Sequence, residues 1–90
     1  RGKHAHKTLK QVLFCPCGSC TISLDDGKEH KEVRLDKATE GLLVEACIWR
    51  EMYNFSPEAV LMVLASDYYD ESDYIRNYDE FLQYVNKQEG

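Results

Sequence analysis

No apolar run in this 90-residue sequence approaches the roughly 20 residues that a membrane-crossing helix needs. The longest, Ala59 to Ala65, has the length of a core segment. Basic residues open the chain, but no apolar stretch follows them, so no secretory leader is expected. A serine nucleophile elbow, a phosphate-binding glycine loop and a His-Glu zinc helix are all missing. Carboxylates come in pairs, but nothing in the sequence places them around a cleft, and the reading is that of a non-enzyme. There is no internal repeat and no low-complexity segment. Together these absences point to a small cytoplasmic domain in which thiols stay reduced.

Excess positive charge is also lacking. The formal net charge is −5, and its distribution is uneven: residues 1–37 hold eight Lys/Arg against five Asp/Glu, residues 38–90 three against eleven. An acidic second half does not bind a phosphate backbone by itself; it suits a basic protein surface.

What the sequence does have is a cysteine cluster. Cys15-Pro16-Cys17-Gly18-Ser19-Cys20 places three of the four cysteines within one tight turn. Cys17-x-x-Cys20 has zinc-knuckle spacing, Cys15 adds a third thiolate, and Cys47 is the expected fourth ligand. His4, His6 or His30 are alternatives to one of these. Such a zinc would be closed and structural, stabilising a small domain by on the order of 10 kcal/mol. The competing readings are reduced cysteines packed as small hydrophobes and a Cys17/Cys20 redox pair. The second lacks the helix N-terminus that makes a thiolate reactive, since Thr21 to Leu24 reads as strand.

In chain order, residues 1–7 read as a basic tail in which His4 and His6 are solvated. Residues 8–90 read as one α+β domain, with strands over 8–35 and three helices over 36–88. Thr8–Cys15, Cys20–Leu24 and Glu29–Leu35 alternate as strands of a three-stranded antiparallel sheet, with Asp25-Asp26-Gly27-Lys28 as a hairpin turn. That register puts His30 on the face of Thr21 and Ser23, away from Cys20. Asp36 is the expected N-cap of a helix reaching Asn54, with Leu42, Leu43, Ala46, Cys47, Trp49, Arg50 and Tyr53 in its apolar stripe. Ser56-Pro57-Glu58 is the expected start of a buried helix through Val60–Ala65. Asp70-Glu71-Ser72-Asp73 opens the third, with Ile75, Tyr78, Leu82 and Val85 facing inward.

The segment Asp67-Tyr68-Tyr69-Asp70-Glu71-Ser72-Asp73-Tyr74, continued by Asp79 and Glu80, sets six carboxylates and three tyrosines against Arg76 alone. Tyrosine is a favoured interface anchor, and this stretch is the candidate partner-binding surface. The plain alternative is a solvated helix face.

Small size, acidity, the Cys15/Cys17/Cys20 cluster and the acidic helix together make the chain similar to the small metal-binding phage anti-CRISPR proteins of the type II-A inhibitor class. The resemblance implies a protein that binds a type II RNA-guided DNA nuclease and blocks DNA loading or cleavage, in a phage-infected or prophage-carrying bacterial host. Such nucleases hold nucleic acid in basic channels, the kind of surface that the acidic half fits. A zinc-finger-like nucleic-acid binder and a thiol oxidoreductase using Cys17 and Cys20 are the alternatives.

Overall fold

The computed structural model describes residues 2–89 and is mostly β. The strands are β1 (Ala5–His6), β2 (Gln11–Cys17), β3 (Cys20–Asp25), β4 (His30–Leu35), β5 (Leu42–Val44), β6 (Trp49–Tyr53), β7 (Val60–Ala65) and β8 (Tyr74–Ile75). A 3-10 turn at Glu71–Asp73 precedes β8, and a single α-helix, α1 (Tyr78–Glu89), follows it.

Two three-stranded antiparallel sheets form, in the orders β5-β2-β7 and β4-β3-β6, with β1 and β8 as a separate pair. Leu13 and Cys15 of β2 and Val44 of β5 share one buried cluster with Cys20, Ile22 and Leu24 of β3 and Leu35 of β4. The two sheets therefore face each other across a common core, as in a sandwich. A second cluster, Ala5, Trp49, Ile75, Phe81 and Val85, seats α1 against β1 and β8.

The expected three-stranded sheet does not form, although one of its hairpins does. Cys20 pairs with Leu35, Ile22 with Val33 and Asp25 with His30. The turn is held by Asp26 Oδ1, which accepts the N–H groups of Lys28 and Glu29 at 2.8 Å, and by Gly27 at φ 96°. The first strand leaves this sheet at Pro16–Ser19 and joins the opposite one, because Cys15 and Cys20 both turn into the core from the two sides. Gly18, at φ 74°, lets that corner lie against the 56–59 turn; a Cβ there would meet Ala59 Cα at 2.6 Å.

Two of the three expected helices are strands. Asp36 leads into a turn, with Glu40 N–H donating to Lys37 O at 3.2 Å, and the positive φ of Cys47 (64°) and Asn54 (54°) is incompatible with one helix through both. Ser56 caps no helix: Ala59 N–H bonds to its carbonyl at 3.0 Å in a tight turn, and its Oγ accepts from Ser19 N–H at 2.9 Å. Val60–Ala65 is apolar along its whole length, a pattern shared by buried helices and short strands. Here it is an edge strand on β2, with Val12 opposite Leu64 and Phe14 opposite Met62, and Val60, Met62, Val63 and Leu64 exposed. The last helix exists but starts at Tyr78, where Asn77 Oδ1 caps Glu80 N–H at 3.1 Å; Asp70 caps only the 3-10 turn, accepting from Ser72 N–H at 3.0 Å. Residues 2–7 are not a solvated tail, since Ala5 and His6 are fully buried and pair with Ile75 and Tyr74; Arg1 lies outside the described residues.

Candidate active site

Strand alternation puts His4 and His6 on one side of β1, while Ala5 turns into the α1 cluster. The two imidazoles meet edge to face with ring centroids 4.8 Å apart. Tyr74, on the paired strand, lies 4.4 Å from His6 and 5.3 Å from His4, and its own ring is covered by the Arg76 guanidinium at 4.2 Å. His6 Nδ1 is 3.1 Å from Asp73 Oδ2. The same carboxylate accepts from Thr8 N–H (2.9 Å), Thr8 Oγ1 (2.7 Å) and Leu9 N–H (3.2 Å). These donors outweigh the opposing effect of burial and hold Asp73 below the usual carboxylate range. The other ring nitrogen, His6 Nε2, is buried and has no hydrogen-bond partner among the described residues.

Arg50 enters from β6. It sits opposite Leu24, and its fully buried side chain crosses to the other sheet, where Nη1 donates to Gln11 Oε1 at 2.6 Å. Nη2 donates to Ile48 O at 3.1 Å, and Nε has no partner among the described residues. No carboxylate among those residues pairs with this cation. Burial pulls it down to about 10, so it remains charged at neutral pH. Burial and the Arg50 charge, with a smaller contribution from His6, hold His4 down to about 4. The same two causes lower His6, against the pull of Asp73. Two neutral imidazoles beside an unpaired buried cation suit the movement of a proton while negative charge develops on a neighbouring atom. A cavity of about 320 Å3 lies between the β3–β4 turn and β5, with Asp26, Glu29, His30 and Glu45 in its wall, but neither His6 nor Arg50 lines it.

The expected zinc site does not assemble. Cys15 Sγ and Cys20 Sγ are 3.3 Å apart inside the core, Cys17 is exposed, and Cys47 packs against the α1 cluster with its thiol directed to Lys7 O at 3.6 Å. Burial and its contact with Cys15 push the Cys20 thiol up to about 12, and burial also raises Cys47. His30 bonds Ser23 Oγ at 2.9 Å on the outer face of β3. No group of three or more His, Cys, Asp or Glu among the described residues is arranged to hold a metal ion.

The acidic–aromatic stretch is not one helix face. Asp67, Tyr68, Tyr69 and Asp70 lie in the β7–β8 connection, Glu71 pairs with Arg76 at 2.8 Å, and Asp79 and Glu80 are in the first turn of α1. Asp73 and Tyr74 belong to the histidine cluster; Asp67, Tyr68 and Asp70 line one small cavity with them and His6, and the Tyr69 ring stands 5.4 Å from that of Tyr74.

A protein-family model described as "FdtA: WxcM-like, C-terminal" matches residues 1–86. The chain belongs to this family. Among its relatives is a protein of Aneurinibacillus thermoaerophilus named TDP-4-oxo-6-deoxy-alpha-D-glucose-3,4-oxoisomerase, 56% identical over 97% of this chain and 63% of the relative. A solved 3,4-ketoisomerase from Helicobacter canadensis is 55% identical with a TM-score of 0.93, over 96% of this chain and 65% of that one. A His-to-Asn mutant of the 3,4-ketoisomerase QdtA from Thermoanaerobacterium thermosaccharolyticum, in complex with TDP-4-keto-6-deoxyglucose, is 46% identical with a TM-score of 0.94, over 98% of this chain and 64% of that one. The chain thus spans just under two thirds of the length of each of these relatives.

FdtA-family membership overturns the resemblance to anti-CRISPR inhibitors, with its nuclease partner and phage setting, and the nucleic-acid-binding and oxidoreductase alternatives with it. Relatives named as isomerases also overturn the reading of a non-enzyme. No helix among the described residues is long and apolar enough to cross a membrane. Of the candidate site described above, Gln11 was not expected from the sequence, Arg50 was expected in a helix stripe, and His4 and His6 were expected in a solvated tail. One signal was present: His-x-His in an extended segment puts two imidazoles on one side.

Proposed function

We propose that this chain carries the proton-transfer centre of a nucleotide-sugar 3,4-ketoisomerase acting on a TDP-4-keto-6-deoxyhexose, in a cytoplasmic setting. In such a substrate the C3 hydrogen is acidified by the C4 carbonyl. A base takes that proton, the C4 oxygen becomes an enediolate oxygen, and a proton is then placed on C4 while the O3 proton passes to O4, giving the 3-ketone with a C4 hydroxyl. No electrons are gained or lost and no co-substrate is consumed.

His4 and His6 are the groups that take and return the proton, since both are neutral at pH 7 and stand edge to face. Arg50 supplies fixed positive charge for the enediolate, and Gln11 holds its fork. One observation carries the reading: a fully buried arginine that has no carboxylate partner among the described residues lies beside a buried imidazole whose Nε2 likewise has no partner among them. Both are costly in an empty protein interior, and both are satisfied by an anionic intermediate that exchanges a proton.

The test is incubation of the purified full-length protein with TDP-4-keto-6-deoxyglucose in D2O, followed by proton NMR. The expected result is a 3-keto product carrying deuterium at C4, with turnover lowered by at least about a hundredfold in H6N. No isomerisation by the wild type, or an H6N variant of undiminished rate, would refute the proposal.

A further inference from the structure

We propose that Asp73 is a positioning residue that sets the tautomer of His6, holding the proton on Nδ1 so that Nε2 presents its lone pair to the substrate; this rests on the ketoisomerase reading above. The geometry decides which nitrogen is protonated. Asp73 Oδ1 faces two donors, the N–H and hydroxyl of Thr8, and Oδ2 faces a third, the N–H of Leu9. A carboxylate so surrounded is ionised and can only accept. The fourth contact, His6 Nδ1 on Oδ2, is therefore an N–H donating, and a neutral ring then carries its lone pair at Nε2.

Asp73 also fixes where the ring stands. Its backbone carbonyl accepts Lys7 N–H at 2.9 Å, and its side chain takes the N–H groups of Thr8 and Leu9, so one residue clamps the three positions after His6. His6 O in turn accepts Cys47 N–H at 2.7 Å. Backbone and imidazole are held from the same carboxylate, 67 positions away in sequence.

D73N tests this. An asparagine has one acceptor oxygen; turned toward the two Thr8 donors, it presents its NH2 to His6 Nδ1, and the ring must move its proton to Nε2 to accept. Two-bond 15N–1H correlation NMR of the His6 ring is the direct readout. The wild type is expected to show the Nδ1–H tautomer, D73N the Nε2–H tautomer or a mixture, and T8V the wild-type pattern. With TDP-4-keto-6-deoxyglucose, D73N is expected to lose at least about a hundredfold in kcat with KM within about threefold. An Nε2–H tautomer in the wild type overturns the proposal whether or not D73N folds. So does a folded D73N that keeps Nδ1–H and wild-type kcat. The ring spectrum does not depend on turnover: a correct tautomer in a protein without isomerase activity leaves the positioning intact and removes the ketoisomerase reading instead.

Discussion

Replacing Arg50 by methionine should stabilise the fold and disable the site. The guanidinium is fully buried and held down to about 10 by the loss of solvent. At about 1.4 kcal/mol per pKa unit, the gap from the free side chain corresponds to roughly 3 kcal/mol of folding free energy lost at neutral pH. Methionine fills similar space without that cost. It orphans Gln11 Oε1 and Ile48 O, the two acceptors that Arg50 satisfies, at about 1 kcal/mol each. The net expectation for R50M is a gain of about 1 kcal/mol, read as a higher urea midpoint at unchanged slope. The same variant removes the only buried cation next to the imidazoles among the described residues. Removing one preorganised donor to a developing oxyanion costs about 10²- to 10³-fold in kcat, and R50M should lose at least that much. The reasoning is refuted if R50M is destabilised by more than about 2 kcal/mol, which would make Arg50 a structural linker of the two sheets. Retained turnover would refute it equally.

Phe81 is fully buried where α1 meets Trp49, with ring centroids 5.8 Å apart, so F81A should cost about 3–5 kcal/mol and lower the midpoint of thermal unfolding steeply; a loss under about 1 kcal/mol would mean that α1 is not integral to the fold. Acid should destabilise the protein through His4, which is neutral in the folded state down to about 4 but takes up a proton near 6.5 when unfolded. Stability should therefore fall as pH drops from about 6.5 to about 4, and H4N should flatten that slope; an unchanged slope in H4N would show that His4 is not held neutral.

Local chemistry made some of this readable from the residues alone. Asp25-Asp26-Gly27-Lys28 specifies a turn by itself, because only its own backbone and side chains are involved, and the alternation on either side brings Ile22 opposite Val33. The spacing of Tyr78, Leu82 and Val85 likewise marks the last helix, though not its start, because Asp70 and Asn77 are both good caps and only packing chooses between them; Ile75, expected in the same helix, lies in β8. Other segments carry no such local decision. Leu42–Val44, Trp49–Tyr53 and Val60–Ala65 are short stretches whose composition fits a strand or a helix, and strand partners 24 to 54 positions away settle them. The same holds for the cysteines: spacing brings Cys15, Cys17 and Cys20 close in sequence, whereas the β2–β3 corner points two into the core and one out to solvent.

The site was the least legible part, because its chemistry is made of long-range contacts. A histidine near the start of the described chain becomes a candidate base only when Asp73 holds one nitrogen and burial leaves the other bare. An arginine at position 50 becomes a candidate anion-stabilising charge only when folding encloses it with no carboxylate partner among the described residues. The sequence by itself determined the hairpin, the last helix and which side chains were on hand. Desolvation and the meeting of distant strands, which exist only in the tertiary structure, decided which of those side chains do chemistry.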